Sequence, residues 1–272
     1  MTMLRISARL LRRGLGGTLM LFLGIALFEF INPVIGDSLG GAEVVQGLFD
    51  QLPPGMRAIA QVQPDFFVEA GFAGFISLGF THPVYFVLVS SSVVGFSARS
   101  IAGEVDSGVI ALTLARPVSR RVAYIARVAG LLALSLGLAL VGVLGSWIGT
   151  VVVDLPAGTG LRDYGALFAA SALLAWAVGG MVLGVSAASS TTGRVVGWAT
   201  AVLVVLYFID YFAELWSVLE PLGPFSIFRY FDPAIALVEG RVPWINVLVL
   251  GGAGTLAIVI GLLVFERRDL PV

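Results

Sequence analysis

Cysteine and lysine are both absent from this chain. Without cysteine there is no disulfide, no thiolate nucleophile and no thiolate metal site, and the redox compartment leaves no trace in the sequence. Without lysine there is no Schiff base and no P-loop, whose lysine must reach the β- and γ-phosphates. The chain therefore holds no ordinary ATPase site, and all 16 of its basic residues are arginine. Histidine occurs once, at His82, which excludes a His-rich metal centre within one chain. Charge of either sign is scarce, at 12% against about 25% in soluble domains. The net charge of −1 gives no general attraction to nucleic acid. Apolar residues fill the space, making up 58% of the 272 residues with a mean hydropathy of +0.99; soluble domains hold about 45–50%. The expectation is an all-α polytopic membrane protein, with residues 1–272 forming a single transmembrane domain.

A helix crossing a hydrocarbon core of about 30 Å needs about 20 apolar residues. Six stretches qualify, at residues 15–35, 78–98, 122–153, 164–190, 194–213 and 243–265. The second contains His82-Pro83, which marks a kink or a helix start. Six spans bring both termini to one side. With the N-terminus in the cytoplasm, Arg5, Arg9, Arg12, Arg13, Arg99, Arg116, Arg120, Arg121, Arg127, Arg194, Arg267 and Arg268 lie inside, and only Arg57, Arg162, Arg229 and Arg241 outside. Arginine bias of that kind sets orientation. In residues 1–14 the run RISARLL puts Ile6 and Leu10 on one face with Arg5, Arg9, Arg12 and Arg13 around it. That pattern reads as an amphipathic interfacial helix, with a cleaved signal peptide or a disordered basic start as the alternatives. A further helix is expected near 64–74. Segment 214–242 is too apolar for a free loop and reads as a re-entrant or interfacial segment. Trp216, Trp244, Tyr211 and Tyr230 fit an aromatic belt there.

One stretch breaks the apolar pattern: GEVDSGVIALTLARPVSRR, residues 103–121. Ile101, Val105, Val109 and Leu112 form one helical stripe, with Glu104, Asp106 and Ser107 off it. Pro117 disfavours helix at Arg116, and Ser119 is placed to cap the next helix. The local expectation is a short amphipathic helix, a break and a restart. Taken alone, it is also what an ordinary inner loop of a membrane protein looks like.

The order Glu104, Gly108, VIALTLA, then Arg116, Pro117, Val118, Ser119 and Arg120 resembles the cytosolic loop of ABC-transporter permeases of the type-2 export family. There the pattern is E-x-x-x-G-T, an apolar run, then R-P-V-S-R before a transmembrane helix; the threonine is Val109 here. An interfacial N-terminal helix, six spans with cytoplasmic termini, an arginine-rich end (FERRDL) and the outer PFSIFRYFDPAIALVEG also resemble that family. The resemblance implies that 99–118 is a cytosolic coupling helix between spans two and three, docking on a separate ATPase subunit. Its residues would be Glu104, Asp106, Gly108, Arg116, Pro117 and Arg120. Glu104 and Asp106 would meet basic groups of the partner, whereas Arg116 and Arg120 could bind lipid phosphate, cap helix ends or meet the partner. The resemblance further implies two ATPase copies carrying ATP and Mg2+, no cofactor in this chain, and a second permease copy, most simply identical. The setting would be membrane lipid in a prokaryotic inner membrane, without nucleic acid. Cargo would pass between the first, second and fifth spans of the two copies.

Charges inside spans are costly and are functional candidates. Glu29 in the first span and Asp210 in the fifth either reach headgroups or water, or form an acidic vestibule on a path that Phe28, Ser91 and Tyr207 could also line. His82 reads as a polar anchor. Gly180-x-x-x-Gly184 permits close helix approach, within the chain or between copies. Three functions follow: an export permease for hydrophobic or amphipathic cargo, which is not itself an enzyme; a proton-coupled secondary transporter using Glu29 and Asp210; and an intramembrane enzyme. The last has no G-x-S-x-G elbow and no second intramembrane aspartate.

Overall fold

The computed structural model describes residues 15–40, 47, 51, 66–114, 119–153 and 164–269. The expected interfacial helix of residues 1–14 and the motif residues Arg116, Pro117 and Val118 lie outside them.

Every regular element among the described residues is a helix: α1 (Leu15–Ser38), α2 (Phe66–Thr81), α3 (Pro83–Ser100), α4 (Ala102–Asp106), α5 (Val109–Leu114), α6 (Arg120–Val152), α7 (Tyr164–Ala188), α8 (Thr192–Leu215), α9 (Pro233–Val238) and α10 (Trp244–Arg267). Two short 3-10 turns, Glu220–Phe225 and Phe228–Tyr230, precede α9. Five helices are long and apolar enough to cross a membrane, and the count is six if the bent pair α2–α3 is one broken span. The pair bends by 47° at His82. Pro83 occupies the first turn of α3, and the His82 Nδ1 accepts the Val84 N–H at 3.2 Å, so one dipeptide ends α2 and caps α3. At 33 residues, α6 is about 50 Å long at 1.5 Å per residue. That is longer than a hydrocarbon core of about 30 Å, and its first turn is capped by the Ser119 hydroxyl, which accepts the Val122 N–H.

Small residues decide which helices meet. α7 is the axis, with 61% of its most apolar window buried. A Cβ added at Gly180 would fall 2.6 Å from the Gly254 carbonyl oxygen, and one at Gly184 would fall 2.6 Å from that of Ala257. The Gly180-x-x-x-Gly184 motif is therefore a contact of α7 with α10 inside the chain. Gly145 and Gly149 likewise let α6 lie on the backbone of α1 at Ala26 and Phe30. On the other side of α7, the Ser97 hydroxyl of α3 donates to the Gly179 carbonyl at 2.8 Å. Without a hydrophobic drive between helices in lipid, such close packing and interhelical hydrogen bonds hold the bundle.

These pairings run α1, α6 and α8 one way and α3, α7 and α10 the other. One end of the bundle, the basic end, gathers Arg99, Arg120, Arg121, Arg194, Arg267 and Arg268. At the opposite end, segment 216–243 folds back on the spans. Its Ser226 hydroxyl donates to the Leu206 carbonyl of α8 at 2.8 Å, Phe231 stacks on Tyr85, and Asp232 caps α9 through the Ile235 N–H. α8 is the outlier: only 6% of its window is buried, and Trp198, Val202, Val205 and Phe208 are exposed.

Candidate coupling and transport site

Ile101, Val105 and Val109 do not lie on a single helix. α4 ends at Asp106, Gly108 takes a φ of +71°, and α5 starts anew at Val109. That left-handed conformation favours glycine, and it turns the chain so that Ile101 and Ile110 are both buried in the bundle. The glycine of the motif is therefore a hinge-shaped turn between two short helices.

Glu104 differs most from expectation. It points inward, 7% exposed, where its carboxylate is paired with the guanidinium of Arg127 from α6, itself 0% exposed. Arg127 also donates to the Ser100 and Ala123 carbonyls, each at 2.6 Å. The guanidinium thus joins the last turn of α3, α4 and the start of α6. The physical reason is the helical pitch: Glu104 follows buried Ile101 by three positions and shares its face. A buried arginine needs an anion, and Glu104 is the anion beside it. Sequence reasoning counted Arg127 only toward orientation. An isolated charge several residues inside an apolar run was the available signal that it needs a partner.

Asp106 remains outward but is also engaged. Its Oδ2 accepts the Thr192 N–H at 3.2 Å, so α4 supplies the cap for the first turn of α8, whose own Thr191 makes no side-chain cap. The Ala102 N–H donates to the Ser186 hydroxyl of α7 at 3.0 Å. Three of the five residues of α4, Ala102, Glu104 and Asp106, are therefore hydrogen-bonded or ion-paired to α7, α6 and α8 respectively, and α3 leads into them through Ile101. Of the three roles open to Arg120, the structure has it capping a helix end: its guanidinium donates to the Glu266 and Arg268 carbonyls at the end of α10. Arg268 in turn donates to the Ala187 and Ser189 carbonyls in the α7–α8 turn, at 3.0 and 2.8 Å. Arg121 pairs with Glu266 at 2.9 Å on the surface. Together these contacts clamp the basic end of the bundle into one block.

Above that block, α3 and α8 part to form an apolar groove of about 360 Å3, with Phe86, Ser91, Leu203, Tyr207 and Phe228 among its walls. Ser91 and Tyr207 thus share one surface. Asp210 stands less than one turn beyond Tyr207, within electrostatic reach of its hydroxyl. Glu29 is elsewhere. It is fully buried between α1 and α2, beside Gly79, with no hydrogen-bond partner for either oxygen among the described residues. It neither reaches water nor faces the groove, because the α1–α2 contact closes over it. Phe28 packs on the His82 ring at 5.3 Å.

No curated protein matches the chain. The family described as ABC-2 family transporter protein matches it over residues 8–270. A match of that extent, on an all-helical bundle with its apolar spans, establishes that the chain belongs to the ABC-2 transporter family, as a multi-pass membrane permease of an ABC transporter.

Proposed function

We propose that this permease exports a hydrophobic or amphipathic cargo, driven by two copies of a separate ATPase subunit that hold ATP and Mg2+ and dock on residues 99–118. In this reading the basic end faces the cytoplasm of a prokaryotic cell and carries both termini. A second copy, identical in the simplest assembly, faces the α3–α8 groove, so that cargo passes between the two. The observation that carries the reading is the bonding of α4. A load applied there reaches α6 through Glu104–Arg127, α7 through Ser186, and the groove wall α8 through the Asp106 cap. An ATPase closing beneath α4 and α5 therefore moves α8 as well as α3. Glu104 acts by holding the lever to the bundle, which replaces the expected contact of Glu104 with the partner.

A proton-driven carrier working through Glu29 and Asp210 is the second reading, favoured by the unpartnered burial of Glu29. The two separate on dependence: the carrier works alone, the export permease only with its ATPase.

Asp106→Ala tests the lever. Loss of a helix cap costs about 1 kcal/mol, too little to unfold the bundle. In proteoliposomes of the full complex, the expected result is preserved ATP hydrolysis with several-fold less cargo moved per ATP. Unchanged transport per ATP would remove α8 from the coupling route.

A further inference from the structure

We propose that the α3–α8 groove takes an amphipathic organic cation, its apolar body against the groove walls and its positive charge at Asp210. The inference rests on the permease reading and adds the class of cargo.

The groove's size, about 360 Å3, is in the range of small-molecule sites, about 300–1,000 Å3. Its walls are almost wholly apolar. Of its few polar groups, Ser91 already spends its hydroxyl on the Val87 carbonyl of its own helix. Phe86, Tyr207 and Phe228, all lining the groove, meet edge to face with centroids 5.1–6.0 Å apart, and aromatic rings of this kind can attract a cation.

None of the described residues lining the groove is charged, and the next charge along α8 follows the groove-lining Tyr207 and Phe208. Asp210 and Glu214 stand one turn apart on α8, on the side the groove-lining residues share, with Arg229 in electrostatic reach of Asp210. Asp210 Oδ1 is buried and accepts no hydrogen bond from any described residue. A buried carboxylate in so apolar a setting attracts a cation through charge alone, and an apolar body lets that cation enter without its own hydration shell. An amphipathic anion meets repulsion there, and a neutral molecule leaves the oxygen unserved.

The test uses the complex of this chain with its ATPase in lipid nanodiscs and measures binding of labelled tetraphenylphosphonium above that of protein-free discs. Tetraphenylborate, of the same shape and opposite charge, serves as the comparison. The expected result is saturable binding of the cation and none of the borate. Asp210→Asn weakens the cation tenfold or more, and Asp210→Glu retains it. Equal binding of the two ions, or cation binding unaltered in Asp210→Asn, overturns the proposal. If Asp210→Asn fails to fold, the wild-type comparison and Asp210→Glu still decide it. ATP hydrolysis by the unmutated complex is read separately. A chain that binds the cation in this pattern yet recruits no ATPase sinks the permease reading and leaves the site standing.

Discussion

Arg127→Met, with Glu104 left in place, is expected to lose about 3–5 kcal/mol of stability, the usual consequence of stripping one partner from a buried ion pair. Glu104 is only 7% exposed and Arg127 fully buried, so the abandoned carboxylate is poorly hydrated unless α4 lifts off α6. Thermal unfolding in detergent should show a lowered midpoint and a poor yield of monodisperse protein. The double variant Glu104→Leu/Arg127→Met is expected to recover most of that loss, because apolar replacement of a whole buried pair is often neutral. Recovery will be incomplete, since the bonds from Arg127 to the Ser100 and Ala123 carbonyls are also gone. The informative outcome is functional: the double variant should fold and bind its ATPase but couple hydrolysis to transport poorly, its lever now held by packing alone. A double variant as unstable as the single one would show that the ion pair does more than neutralise a buried charge. A double variant with full coupling would show that the pair transmits nothing.

The second large effect belongs to the α7–α10 crossing. Gly180→Leu places a side chain where a Cβ alone would stand 2.6 Å from the Gly254 carbonyl and 2.8 Å from its Cα. Backbone atoms do not yield as a flexible side chain does, so the helices must separate, at a cost of about 3 kcal/mol or more. Separation also pulls α10 away from the Arg120 and Arg268 bonds that clamp the basic end. Gly252→Leu is the matched control: nothing lies within 4 Å of its Cβ position, and it faces outward. The expectation is a folding defect for Gly180→Leu and a near-neutral Gly252→Leu by thermal unfolding. If Gly180→Leu instead remained stable and only lost self-association, the glycine pair would be a contact between copies.

Much of this bundle was legible from residue order. Apolar runs of the right length located the long helices, because only helices satisfy their own backbone in lipid. His82-Pro83 located the bend and Ser119 the cap on α6, because both act within a turn of themselves. What escaped notice depends on distance in sequence. Arg127 and Glu104 are 23 positions apart, and helical periodicity gives a residue's face but not what covers that face. Lying off the Ile101–Val105 stripe, Glu104 is expected to meet a partner, whereas in α4 its side is the covered one. The turn at Gly108 was hidden for a different reason: the apolar stripe continues across it, and only the positive φ shows that α4 and α5 are separate. Glu29 and Asp210 look alike in the sequence as late charges in two spans, yet one is sealed under α2 and the other follows the groove-lining Tyr207 by three residues on α8, a difference set by packing partners alone.

The central claim is that α4 and its Gly108 turn form the cytoplasmic contact through which an ATPase drives α8. Because the chain contains no cysteine, Ser107→Cys introduces a single thiol, at an exposed position between α4 and α5. Labelling it with a membrane-impermeant maleimide is the most direct test. The account predicts reaction in inverted vesicles, none in intact cells, and strong protection once the ATPase subunit is bound. Reaction from outside intact cells, or equal labelling with and without the ATPase, would contradict it.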